Sequence, residues 1–178
     1  MNKLSYKTIN NKEKKKFKAT KKPTQEDFEK RVVKIFLKNK RQGVNEKNII
    51  KLQQSSDVDI VVNVSPKIKT QIRHLDDELT GKLWSGNIFF GSRGFQEVSK
   101  IIKKAIRNKD KKYPSWQTQD IILLLDGLEL WSLLEMSKNF QTVEGADTYR
   151  LLDEIKKEKI KNFKAIYIVC KNFNLQIK

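Results

Sequence analysis

The stretch that most constrains this chain is Val58 to Leu75, VDIVVNVSPKIKTQIRHL, because alternation runs through both of its halves. Val58, Ile60, Val62 and Val64 share one side, and Asp59, Val61 and Asn63 the other. Beyond Ser65-Pro66-Lys67, Ile68, Thr70 and Ile72 share a side against Lys69, Gln71 and Arg73. Pro66 has a fixed φ and no donor, so a turn is its natural place. A three-residue loop at 65–67 predicts Val64 opposite Ile68, Val62 opposite Thr70 and Ile60 opposite Ile72. The same register sets Val61 against Gln71 and Asp59 against Arg73. A two-residue loop would set apolar faces against polar ones, so register selects the longer loop. The expected hairpin has one apolar face and one face carrying Asp59, Gln71 and Arg73.

The flanking segments supply helices and further strands. Thr24 is a suitable N-cap, with Glu26 and Asp27 in the first turn beyond it. Phe28, Val32, Val33, Ile35, Phe36 and Leu37 then fill one arc of a helix that Gln42-Gly43 ends. Glu29 falls inside that arc. A carboxylate aimed at a core must be paired, metal-bound or beside a cleft, unless it reaches solvent at the helix end. The segment 45–56 is a polar connection with an apolar touch at Ile49, Ile50 and Leu52, as a short strand or a helical turn. His74 reads as an exposed strand-end residue, and 80–94 as a packed loop holding a short strand. Phe95 to Tyr113 reads as a second helix, with Val98, Ile101, Ile102, Ala105 and Ile106 inward. Lys109 continues that face and Lys112 flanks it. Gln119 to Leu125 is an apolar run suited to a strand buried on both faces, and Asp126-Gly127 ends it with turn chemistry. A helix is expected from Leu128 to Met136 and another from Thr148 to Ile160, the latter with Leu151, Leu152 and Ile155 inward. Phe163 to Cys170 reads as the last buried strand, with Phe173 to Ile177 paired to its end.

An acid on one strand, followed on the next by Gln, any residue and a base, resembles the core motif of the PD-(D/E)XK nuclease-like superfamily. Here it reads Asp59, eleven residues, then Gln71-Ile72-Arg73. The Gln form resembles the variant in Mrr-like restriction enzymes, with Arg73 where the motif has Lys and Val58 where it has Pro. The string AIRNKDKKY is similar to a pattern in small members of that superfamily. The resemblance implies an α/β fold with a restriction-endonuclease-like core, a central mixed sheet of four to five strands flanked by helices. Residues 23–178 would form this single domain, and residues 1–22 a flexible basic tail. It also implies a metal-dependent nuclease that hydrolyses phosphodiesters in nucleic acid, DNA before RNA. Asp59 would be the main ligand of Mg²⁺ or Mn²⁺, with Gln71 through its side-chain carbonyl and Glu29, or Glu26 in its place. Arg73 would hold the scissile phosphate, and Lys109 would supply the ammonium that the motif lacks. The alternative on the same fold is a catalytically inactive nucleic-acid-binding or assembly subunit.

Composition narrows the chemistry. The formal charge is +17, from 38 Lys and Arg against 21 Asp and Glu, which favours a polyanionic partner. Residues 1–22 hold nine lysines against one acid, Glu13. Together with Arg73, Lys109 and Lys112, the run Lys14, Lys15 and Lys16 is expected to contact phosphates. Cys170 is the single cysteine and His74 the single histidine. An intrachain disulfide and a Cys- or His-rich zinc site are therefore excluded, and any metal must be a hard cation held by oxygens. No run of eighteen apolar residues and no secretory signal is evident. A cytoplasmic protein is expected, as a homodimer or part of a larger assembly.

Overall fold

A computed structural model of the chain describes residues 24–52, 58–75, 92–113, 119–128, 153–158 and 160–178. Helix α1 (Gln25–Asn39) starts at a capping box. The Thr24 hydroxyl accepts from the Asp27 N–H at 3.2 Å, and the Thr24 N–H donates to Asp27 Oδ2 at 2.8 Å. These bonds satisfy amides that the first turn would otherwise leave unpaired. The chain then leaves the helix through Arg41, whose φ is 57°.

A short 3₁₀ turn, Glu46–Asn48, leads into β1 (Ile49–Lys51), followed by β2 (Ile60–Val62) and β3 (Ile68–His74). Helix α2 (Ser92–Lys112) then crosses to β4 (Ile121–Asp126), and β5 (Ala165–Val169) and β6 (Asn174–Gln176) complete the sheet. Among the described residues the sheet has six strands in the order β1-β2-β3-β4-β5-β6. Strands β1 to β3 form an antiparallel meander, β3, β4 and β5 run parallel, and β6 is antiparallel to β5. The mixed α/β class is as expected. The strand count exceeds the expected four to five because Ile49–Lys51 pairs with β2 and Asn174–Gln176 with β5.

The sheet separates two apolar layers. On one face Val32, Val33, Phe36 and Leu37 of α1 pack on Ile49, Ile60, Val62, Ile72, Leu124, Tyr167 and Val169. On the other, Val98, Ile101, Ile102, Ala105 and Ile106 of α2 pack on Leu75, Ile121, Leu123, Leu125, Ile166 and Ile168. Strand β4 thus feeds alternate residues to both layers, as its unbroken apolar run requires. Burying each Ile or Leu contributes roughly 1.5–3 kcal/mol. Ile155, in a helical stretch at 153–156, is buried in the α2 layer, as expected.

The hairpin register differs from expectation by two residues. The observed pairs are Ile60↔Thr70, Val61↔Lys69 and Val62↔Ile68. The turn begins earlier because Asn63 and Val64 bond elsewhere. The Asn63 N–H donates to the Asn48 carbonyl at 2.8 Å, and the Val64 N–H to the Val62 carbonyl at 3.0 Å. Two residues is one full pleat, so Ile60, Val62, Ile68 and Ile72 keep the expected face. The partners nevertheless change: extending the observed pairing brings Asp59 level with Gln71, so Asp59 is not opposed to Arg73. A bend at Asp59 also turns Val58 into the α2 layer, away from Ile60. Phe28, expected inward, is 41% exposed and meets the His74 ring edge-on at 6.3 Å.

Of the loop expected at 80–94, residues 92–94 belong instead to the first turn of α2, and 80–91 lie outside the described residues, as do the tail at 1–22, the expected helix at 129–136, Leu151 and Leu152. Among the described residues no helix is long and apolar enough to cross a membrane.

A candidate active-site cleft

At the carboxyl end of β3 the two helix layers and the meander leave a cleft of about 310 Å³. Gln25 and Glu29 of α1 form one wall, and Lys104, Asn108 and Lys109 of α2 another. Asp59, Arg73 and His74 form the floor between them. Crevices beyond the carboxyl ends of parallel strands are where sites collect in α/β sheets, and β3 runs parallel to β4 here. Of the expected site residues, Glu29, Asp59, Arg73 and Lys109 come together at this cleft.

Glu29 is buried, as its position on the helical wheel predicts. Gln25 Nε2 donates to its Oε1 at 2.9 Å, and the Lys51 ammonium contacts its Oε2. Asp59 precedes β2 and is anchored across the hairpin, where the Ile72 N–H donates to its Oδ2 at 2.7 Å. Burial pushes the Asp59 carboxyl above the usual carboxylate range. The Ile72 hydrogen bond and the Lys109 charge oppose that push, Glu29 adds to it, and Lys51 works against it. Two carboxylates and two ammonium groups therefore share one electrostatic environment. Arg73 is exposed on the strand end, where its fixed fork of donors suits a phosphate.

The remaining expected residues lie elsewhere. Gln71 is buried within β3 and does not line the cleft. Glu26, the second choice to Glu29, is paired with Lys30 at 2.6 Å. Lys112 is placed over the Tyr113 ring, 5.2 Å from its centroid, outside the cleft lining. Lys14, Lys15 and Lys16 lie outside the described residues.

Two features escaped the sequence reading. Lys51 partners Glu29 because the meander brings the end of β1 beside Asp59, where Lys51 pairs with Ile60. Asp126 is buried and holds His74, with Nδ1 2.8 Å from Oδ2, while its Oδ1 accepts from the Leu128 N–H at 3.1 Å. The turn chemistry expected of Asp126 is present. Its second role depends on the parallel register that sets His74 beside it. The signal available in the sequence was an acid closing a buried strand.

Among the described residues no three or more His, Cys, Asp or Glu side chains cluster as a metal site. Mg²⁺ nevertheless commonly takes one or two carboxylates, substrate phosphates and water. Asp59 and Glu29 fit that smaller set: they raise each other's energy across the cleft, and a divalent cation would relieve the repulsion that Lys51 now offsets. Comparison with protein-family models, curated proteins and solved structures finds no match to this chain.

Proposed function

We propose that the cleft is the active site of a metal-dependent nuclease, acting on DNA in the cytoplasm, on a fold similar to the PD-(D/E)XK core. One observation carries the reading: Glu29, Asp59, Arg73 and Lys109, from four separate segments, line one cleft. The order helix, antiparallel meander, helix and parallel strand supports it, and so does the charge of +17. Asp59 and Glu29 would hold the Mg²⁺ or Mn²⁺ ion, with Gln71 reaching it only if its side chain leaves its buried place. When bound, the ion would lower the pKa of water and offset charge on the reacting phosphate. Arg73 would grip two oxygens of the scissile phosphate bidentately, and it cannot accept a proton. Lys109, on the wall of the cleft, would supply an ammonium to offset charge that builds on the reacting phosphate.

The test is cleavage of plasmid DNA with Mg²⁺ or Mn²⁺. Asp59→Asn keeps the shape and removes one of two carboxylates, so cleavage falls by about a hundredfold or more. Metal-free DNA binding holds or tightens, since a negative charge facing phosphate is gone. Cleavage untouched by Asp59→Asn would place the site elsewhere. The Lys51–Glu29 pair favours a second reading, a binding subunit on the same fold in which lysine holds the place of the cation. DNA binding with a steep salt dependence and no cleavage in either metal selects it.

A further inference from the structure

At the other end of α1 from the cleft, the last turn of that helix and the segment leading into β1 enclose a cavity of about 380 Å³. Its floor is apolar: Leu37 and Ile49 are buried in the α1 layer, and Val44 packs against that layer. Its rim is cationic, with Lys34, Lys38 and Arg41, and among the described residues no acid lines it. Lys34 is paired with Glu46 at 2.5 Å. Lys38 and Arg41 are exposed, and among the described residues neither side chain makes an ion pair or hydrogen bond, nor does the Gln42 amide beside them. Cations at a helix C-terminus commonly serve its last carbonyls. Here the Phe36, Leu37 and Lys38 carbonyls already accept from the backbone N–H groups of Lys40, Gln42 and Arg41, at 2.9–3.1 Å. Arg41 also holds a φ of 57°, a conformation that glycine takes at no steric cost and that helix ends usually give to glycine. The chain instead places a guanidinium there, on the rim of the cavity.

We infer that this cavity binds one nucleotide, through both its phosphate and its base. The phosphate lies between the Lys38 ammonium and the Arg41 guanidinium, whose fork of donors fits two phosphate oxygens. The apolar floor covers one face of the base. The Gln42 amide, which carries donors and an acceptor, pairs with the base edge. A bare anion leaves that floor facing water, and a purely apolar ligand takes water from two cations without replacing it. The volume falls within the range of small-molecule sites, near its lower end, where one such unit fits. Free nucleotides and units of a nucleic-acid strand share this chemistry. Lys38 lies roughly 14 Å along the helix from Glu29, so the site is distinct from the cleft and stands whether or not the cleft cuts DNA.

The full-length protein is titrated with adenosine 5′-monophosphate at physiological salt and followed by ¹⁵N–¹H NMR, which reads this site separately from the lysine tail. The amides of Lys38, Arg41, Gln42, Val44 and Ile49 are expected to shift together and saturate. Adenosine and inorganic phosphate each bind at least about tenfold more weakly, because each lacks part of the contacts. Arg41→Gly removes the guanidinium and relaxes the backbone, so it melts close to or above the wild-type temperature yet binds at least about tenfold more weakly. Lys38→Gln, which leaves the turn untouched, weakens binding likewise. A single-stranded DNA hexamer that moves the same amides at lower concentration than the mononucleotide identifies a strand as the source, and a hexamer that binds no tighter identifies the free nucleotide. Amides that neither nucleotide nor hexamer moves overturn the inference. So does inorganic phosphate binding as tightly as the nucleotide, which marks a simple anion site, and so does wild-type affinity in both Arg41→Gly and Lys38→Gln.

Discussion

Replacing Lys51 by Met takes away the ammonium that contacts Glu29 Oε2 while keeping a stem of similar length. The two side chains are 21% and 7% exposed, so the stranded carboxylate is shut off from most of the water that could solvate it. Breaking one side of a buried ion pair costs roughly 3–5 kcal/mol. Gln25 Nε2 still donates to Glu29 Oε1 at 2.9 Å, and Lys51 retains some solvent contact. The cost therefore falls near the lower end, about 3 kcal/mol. For a chain of this size that lowers Tm by roughly 6–12 °C. Urea unfolding followed by circular dichroism measures it, with an unchanged m-value showing that both end states are preserved. Adding Glu29→Gln to Lys51→Met removes the stranded charge and recovers about 2 kcal/mol, a coupling within the range of contacting residues. If the cleft takes Mg²⁺ as proposed, millimolar Mg²⁺ stabilises Lys51→Met more than wild type, because in wild type the ion would first have to displace the lysine. A Lys51→Met protein within about 0.5 kcal/mol of wild type refutes the claim that this pair is buried and costly to break. Equal responses to Mg²⁺ in both proteins refute the claim that Lys51 holds the cation's place.

Three further expectations concern other parts of the molecule. Burial raises the Asp59 carboxyl, so the folded chain binds that proton more tightly than the unfolded one. Its contribution makes stability fall as pH rises from the unfolded value, about 3.9, through the folded one. Asp59→Asn lacks this loss and is more stable than wild type at neutral pH; urea unfolding at stepped pH measures the difference, and a less stable variant contradicts the sign. Ile102 is fully buried between α2 and the sheet, so Ile102→Ala costs about 2–5 kcal/mol in the same assay. Deleting residues 1–22 removes nine lysines; it weakens DNA binding and flattens the slope of log K against log salt in a fluorescence-anisotropy titration. A slope unchanged by the deletion shows that the tail makes no phosphate contacts.

Much of the architecture was legible because periodicity reports which face of an element is buried. The arc of α1, the inward face of α2 and the alternation of Ile60 and Val62 with Ile68 and Ile72 all follow from residue spacing. So does the two-sided burial of β4. Glu29 was legible for the same reason, as a carboxylate on the apolar arc of a helix. Spacing also flagged Lys109, which continues the buried face of α2 to the point where that face meets the cleft.

Pairing across segments was not legible, because periodicity gives the face of a residue but not its partner. A two-residue shift keeps every side chain on its face, so the pattern could not separate a three-residue loop from the observed turn at 63–67. What chose between them was the Asn63 N–H bonding to Asn48, on a neighbour outside the hairpin. The bend that turns Val58 away from Ile60 likewise has no counterpart in the alternation. Lys51 meets Glu29 and His74 meets Asp126 across separations of 22 and 52 residues. Those meetings depend on the meander and on the parallel register of β3 with β4. The sequence by itself determined most of the apolar faces and the inward carboxylate of α1, since periodicity reports the face of each position; the exposure of Phe28 and the inward places of Lys51 and Asp126 were decided by the tertiary structure. Only the tertiary structure decided which of those charges meet, because distances between elements depend on how the whole sheet is ordered.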